Sequence, residues 1–140
     1  MKLKILKTAL IFMIFSKYVF ANTSHLQEGI NLFKINKFNE AKFKFEQDIV
    51  FNPKSELSYL YLSKIFKNLD KVDLQEQNLK TVILLNPKNE EAIYNLAKLK
   101  LDSSDYKKSK ELNDRLITLC NKFCGQGQKL KKEIEILSKK

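Results

Sequence analysis

Tryptophan is absent from this 140-residue chain, and glycine (3), proline (2), cysteine (2) and histidine (1) are scarce. So few breakers leave room for long helices, and no segment alternates apolar and polar residues long enough to read as a strand. The lone His25 and the few glycines offer little from which to assemble a catalytic triad with an oxyanion hole. There is no phosphate-binding glycine loop, no dinucleotide-binding glycine pattern and no His-Glu-x-x-His pair. The chain is therefore not expected to be an enzyme, and no cofactor is expected. Arginine is almost missing too: Arg115 is the only one among 26 basic residues. Readers of bases and phosphates are usually arginines, so the formal charge of +10 reads as solubility and a mild pull toward anionic surfaces, not as nucleic-acid binding.

Long apolar runs are also lacking. The longest lies between Lys7 and Lys17 and is roughly half of what a membrane span requires. It follows Lys2, Lys4 and Lys7 and precedes Val19-Phe20-Ala21, the order of a secretory signal with cleavage after Ala21. Residues 1–21 are thus expected to be a signal peptide and residues 22–140 a periplasmic or secreted domain with no stable membrane span. Asn22, not cysteine, stands directly after the cleavage site, so a lipid anchor is not expected. Removing the signal leaves 22 basic against 16 acidic residues, about +6.

What is present is helical periodicity. Hydrophobic residues make up 44% and charged residues 30%, the balance of a folded, helix-rich domain. Apolar positions recur at three- and four-residue steps, as in Leu26, Ile30, Phe33 and then Phe38, Ala41, Phe45, Ile49. Breaks near residues 36, 52, 70, 86, 104 and 125 delimit about seven helices of roughly 12–17 residues. Asn52-Pro53-Lys54 returns as Asn86-Pro87-Lys88, one 34-residue period later, the mark of stacked helix–turn–helix repeats. Pro53 and Pro87 cannot continue a helix, and Ser55 and Asn89 then stand where N-caps are wanted.

Placed in register, the copies put small residues at one site of each first helix: Gly29, Ser63 and Ala97. Two helices cross there, and a bulky side chain would hold them apart. Phe38, Val72 and Tyr106 follow the turns. Ala41 and Phe45 correspond to Gln75 and Leu79, and to Ser109 and Asn113.

These positions resemble a tetratricopeptide repeat (TPR): the small Gly29, the turn aromatic Phe38, the close-packing Ala41, the large Phe45 and the closing Pro53. The second copy keeps Phe66, Leu79, Val82 and Pro87 but has Gln75 at the small place. The third keeps Leu96, Ala97, Asp105-Tyr106 and Leu116. The resemblance implies an all-α, right-handed α-solenoid of three repeats, about residues 22–55, 56–89 and 90–123, like a small exported bacterial TPR protein. One helix pair cannot bury its own apolar face, so stability comes from neighbouring interfaces and needs a cap. A C-terminal capping helix at about 126–139 is expected, with Leu130, Ile134 and Leu137 on its buried stripe. The alternative is an irregular helical bundle.

Cys120 and Cys124 sit where a third closing proline would fall. An even cysteine count in an exported chain reads as a disulfide, and an i, i+4 pair at a turn is within bridging range. The bridge would staple the last repeat to the capping helix. A redox site would favour C-x-x-C at a helix N-terminus, and a metal site needs further ligands, so no metal is expected.

In such a stack the first helices line the concave face. Their stripe reads Leu26, Ile30, Phe33; Leu60, Lys64, Lys67; Tyr94, Lys98, Leu101, with Asn68 beside Lys67. The expected role is a protein-interaction adaptor in the cell envelope, taking a partner peptide or helix with an apolar anchor near Phe33 and an acidic group near Lys64 and Lys98. The carboxylate clamp of chaperone-binding TPR proteins is not expected, because Leu26 and Ile30 occupy its places. Glu76, Glu90 and Glu91 read as solvated helix charges. Two other readings stay open: an accessory factor in thiol or metal handling through Cys120 and Cys124, and self-association through the solenoid ends.

Overall fold

The computed structural model describes residues 25–139. The expected signal peptide, residues 1–21, and its cleavage site lie outside the described residues. Within them the chain forms seven helices and no strand: α1 (residues 25–34), α2 (Phe38–Phe51), α3 (Glu56–Asn68), α4 (Val72–Leu85), α5 (Glu90–Asp102), α6 (Tyr106–Leu119) and α7 (Cys124–Leu137). None of these helices is long and apolar enough to cross a membrane. The capping helix starts at Cys124, two residues before the expected start near 126. Its hydrogen-bond ladder already includes Gly127 N–H to the Phe123 carbonyl at 2.9 Å.

One turn is built three times. Asn36, Asp70 and Ser104, spaced by the repeat, all take the left-handed conformation, with φ of 60°, 52° and 62°. Behind each, the next residue donates its N–H to the carbonyl five positions back: Lys37 to Leu32, Lys71 to Phe66 and Asp105 to Lys100, at 3.0, 2.9 and 2.8 Å. This is a Schellman closure, which satisfies the last carbonyls of a helix. Asparagine and aspartate tolerate the left-handed region better than most residues, so the sequence reports two of these turns by residue type and the third only by register.

The chain divides into two compact units, the first ending at Ser58 and the second beginning at Tyr59, inside α3. In the first unit α1 crosses α2 at Gly29, where an added Cβ would lie 2.7 Å from the buried Phe45 ring. Glycine is therefore required for that approach. Phe33 packs on Phe38 with ring centroids 5.4 Å apart, and Lys44 pairs with Glu28 at 2.8 Å across the two helices. That hydrogen bond holds the Glu28 carboxyl below the ordinary glutamate range. Between α2 and the start of α3 lies a polar cluster. Asp48, only 2% exposed, accepts hydrogen bonds from the Ser55 and Ser58 hydroxyls, both buried.

In the second unit α5 is central, packed by α4, α6 and α7. Its core includes Leu79, Ile93, Leu96, Leu116, Leu130 and Ile134, with Leu137 partly buried against it. The stripe expected on the capping helix is thus the one that docks. At the crossing of α5 and α6 the small Ala97 is fully buried, and its carbonyl accepts the Ser109 hydroxyl at 2.8 Å. Asn89 caps α5 as expected, its side chain accepting from Ala92 N–H at 2.8 Å.

Candidate functional site

The first helices of the second unit, α3 and α5, present matched residues one repeat apart: Tyr61 and Asn95, Lys64 and Lys98, Asn68 and Asp102. All six are half-buried or exposed. A recess of about 240 Å³ opens between α3, α4 and α5, lined by Lys67, Asp70, Val72, Gln75, Asn95, Lys98, Leu99 and Asp102. Lys64 Nζ stands 5.0 Å over the Tyr61 ring, a contact in which the ring face attracts the cation. Tyr94 meets Phe123 at 5.6 Å between ring centroids.

Two of the expected residues do not belong to this face. Leu60 is 4% and Leu101 3% exposed, and both sit in the apolar core. The expected stripe shares Lys64 and Lys98 with the accessible face but enters the core at its two leucines. Positions 60 and 101 point inward, whereas 61, 64 and 68 on α3 and 95, 98 and 102 on α5 are reachable. Of the remainder, Lys67 and Lys98 line the recess, Lys64 and Tyr94 are half-buried, and Asn68 is exposed at the end of α3. Phe33 belongs to the first unit, on Phe38.

The electrostatics also differ from the expectation of a basic receptor. Lys64 is engaged by Glu91 of α5 at 2.7 Å, and Lys98 by Glu133 of α7 at 2.9 Å and by Asp102 at 3.6 Å. The bond to Glu133 holds Lys98 above the ordinary lysine value of 10.5, with Asp102 adding attraction. Each lysine thus already carries an internal carboxylate, and the face is charge-balanced. An incoming acid must compete with Glu91 or Glu133.

The glutamates read as solvated are partnered as well. Glu76 bridges Lys100 at 2.7 Å and Lys80 at 2.6 Å, and these bonds, Lys100 foremost, lower its pKa. Glu90, in the first turn of α5, accepts backbone N–H groups from Asn121, Lys122 and Phe123 at 2.9, 2.7 and 2.7 Å. The Phe123 bond is the largest of the effects that hold its carboxyl below the ordinary range. Lys80 is a local partner, four residues after Glu76 on the same helix; the others lie far away in sequence, and no local pattern announces them.

Cys120 and Cys124 are bonded to each other, with Cα atoms 4.9 Å apart. Cys120 ends α6 and Cys124 begins α7, so the bridge spans the turn between the last repeat and the cap.

No family model matches the sequence, and no curated protein is significantly similar to it. Solved structures are similar in fold. The TPR2B-domain complex with pHsp70 of yeast Sti1 aligns with a TM-score of 0.74 at 14% identity, covering 81% of this chain and 95% of that one. The Yersinia enterocolitica type III secretion chaperone SycD, in complex with a peptide of the translocator YopD, gives 0.73 at 14% identity, covering 83% and 91%. The first TPR of Spaghetti, bound to the HSP90 peptide SRMEEVD, gives 0.72 at 17% identity, covering 84% and 93%. The architecture is accordingly an all-α helical-repeat solenoid of the TPR type.

Proposed function

We propose that this TPR-type solenoid is a non-enzymatic interaction module that holds a segment of a partner protein on the α3–α5 face, and that it works in the periplasm or outside the cell after loss of residues 1–21. The observation that carries the reading is the repeat-spaced row Tyr61/Asn95, Lys64/Lys98 and Asn68/Asp102 beside a recess of about 240 Å³. Aromatic rings and amide side chains there can meet an extended or helical segment. The similarity in fold to two TPR domains and a secretion chaperone whose structures include a bound peptide or Hsp70 partner supports a protein partner for this chain as well. The Cys120–Cys124 bridge fits an oxidising compartment.

The balanced charges refine the partner. Lys64 and Lys98 are already paired, so a segment with both acidic and basic side chains, able to exchange partners with Glu91 and Glu133, fits better than a purely acidic one. The test places a photo-crosslinking residue at position 95, on the face, or at position 84, where Leu84 is 80% exposed elsewhere on α4. Envelope proteins captured from position 95 but not from 84, and lost in a Tyr94→Ala/Lys98→Glu variant, are the expected result. Equal capture at both positions, or no effect of the variant, removes the face. Fractionation and N-terminal sequencing test export: the expected mature terminus is Asn22.

A further inference from the structure

The three repeats end differently. After α2 and α4 the chain turns through Asn-Pro-Lys, and the turn closes on itself: Ser55 N–H donates to the Asn52 carbonyl at 2.9 Å and Asn89 N–H to the Asn86 carbonyl at 3.1 Å. Proline presets its own φ for such a turn and forbids helix continuation. After α6 the same register holds Cys120-Asn121-Lys122, so the proline is missing. The residue in the place of Ser55 and Asn89 is Phe123, and its N–H goes to Glu90. Asn52 and Asn86 have φ of −131° and −135°, whereas Cys120 has φ of 28°. A side chain rarely adopts that conformation unless its surroundings impose it.

We propose that the Cys120–Cys124 bridge replaces the missing proline as the stop between α6 and α7, and that a dithiol reductant opens it as a latch, releasing α7 from α5 and α6. The bridge spans Cys120 and Cys124, and this turn points three N–H groups at Glu90. It also sets the entry of α7, whose Gly127 passes so close to α6 that an added Cβ would lie 3.2 Å from Ile117, while the Gly127 carbonyl takes Asn113 Nδ2–H at 3.0 Å. Freed, Cys120 relaxes toward negative φ and redirects everything after it. The Glu90 clasp and the Gly127 approach are lost together. Leu112 and Leu116 of α6, buried in the core that α7 completes, are then uncovered.

The chemistry balances. Cys120 is the more exposed partner. One thiolate of the dithiol attacks its sulfur, the S–S bond breaks, and the Cys124 thiolate leaves and takes a proton. The second thiol of the reductant displaces Cys120 from the mixed disulfide and forms the reductant's own intramolecular disulfide. Two electrons and two protons pass from the dithiol to the cysteine pair.

Amide hydrogen exchange on the whole folded protein, oxidised and after dithiothreitol, tests this. The expected result is exchange at least about tenfold faster across α7 and residues 120–123 on reduction, with α4 changed by less than about twofold. A Cys120→Asn/Asn121→Pro/Cys124→Ser variant, which restores the stop of the other repeats, is expected to keep α7 protected with or without the reductant. Unchanged α7 protection after both thiols titrate overturns the proposal, as does a uniform loss that includes α4. If the triple variant does not fold, the wild-type comparison still decides.

Discussion

The Glu90 carboxylate holds the backbone N–H of Phe123 at 2.7 Å, tying the first turn of α5 to the entry of α7. Hydrogen bonds from Phe123, Lys122 and Asn121 favour the charged form and lower the Glu90 pKa from 4.5. A group whose folded pKa is depressed adds stability above its unfolded pKa, and that stability fades as pH falls through the folded value. Glu90→Gln is therefore expected to unfold at a lower temperature than wild type near neutrality, with the gap closing in acid below the 4.5 of a free glutamate. Thermal melts across that range check it. A gap that stays constant into strong acid would contradict the ionic role of the clasp.

Ser104 occupies the left-handed turn that Asn36 and Asp70 fill in the other repeats. Left-handed backbone costs an ordinary residue about 1–2 kcal/mol, and glycine escapes most of this at some cost in chain entropy. Ser104→Gly is expected to stabilise by about 0.5–1 kcal/mol and Ser104→Val to destabilise by about 1–2 kcal/mol. Urea titrations of both variants give the sign directly.

Asp48 stands one repeat before Val82 and two before Leu116, and Ser58 one repeat before Ala92, yet all are buried. Removing the acid alone leaves the Ser55 and Ser58 hydroxyls without their acceptor, which should cost about 1–3 kcal/mol. Copying the second repeat at two positions, by Asp48→Val with Ser58→Ala, removes one donor along with the acceptor and is expected to recover part of that loss, the buried Ser55 hydroxyl still lacking its acceptor. A double-mutant cycle in urea measures the coupling. Additive effects would mean that the carboxyl and the hydroxyl act independently.

Much of the fold was legible in the chain because the repeat leaves chemical marks at fixed intervals. Gly29, Ser63 and Ala97 mark the crossings, Pro53 and Pro87 mark two of the stops, and Leu130 and Ile134 show the docking side of α7. The accessible face was less legible. On α3 the apolar residues Leu60, Leu62, Ile65 and Phe66 are all buried and spread around much of the helix, so periodicity alone cannot say which edge stays open. That ambiguity put Leu60 and Leu101 on the wrong side by one residue. The acids that occupy Lys64 and Lys98 lie on neighbouring helices, brought there by stacking. Asp48 was visible in principle, since register sets it beside Val82 and Leu116.

The ion pair between Lys98 and Glu133 joins α5 to α7. Any visitor that claims the ammonium group takes it from the C-terminal segment, and thermodynamic reciprocity requires that whatever detaches that segment improves the visitor's hold by the same factor. The end of the chain can therefore report, through its own mobility, on whether the face is occupied.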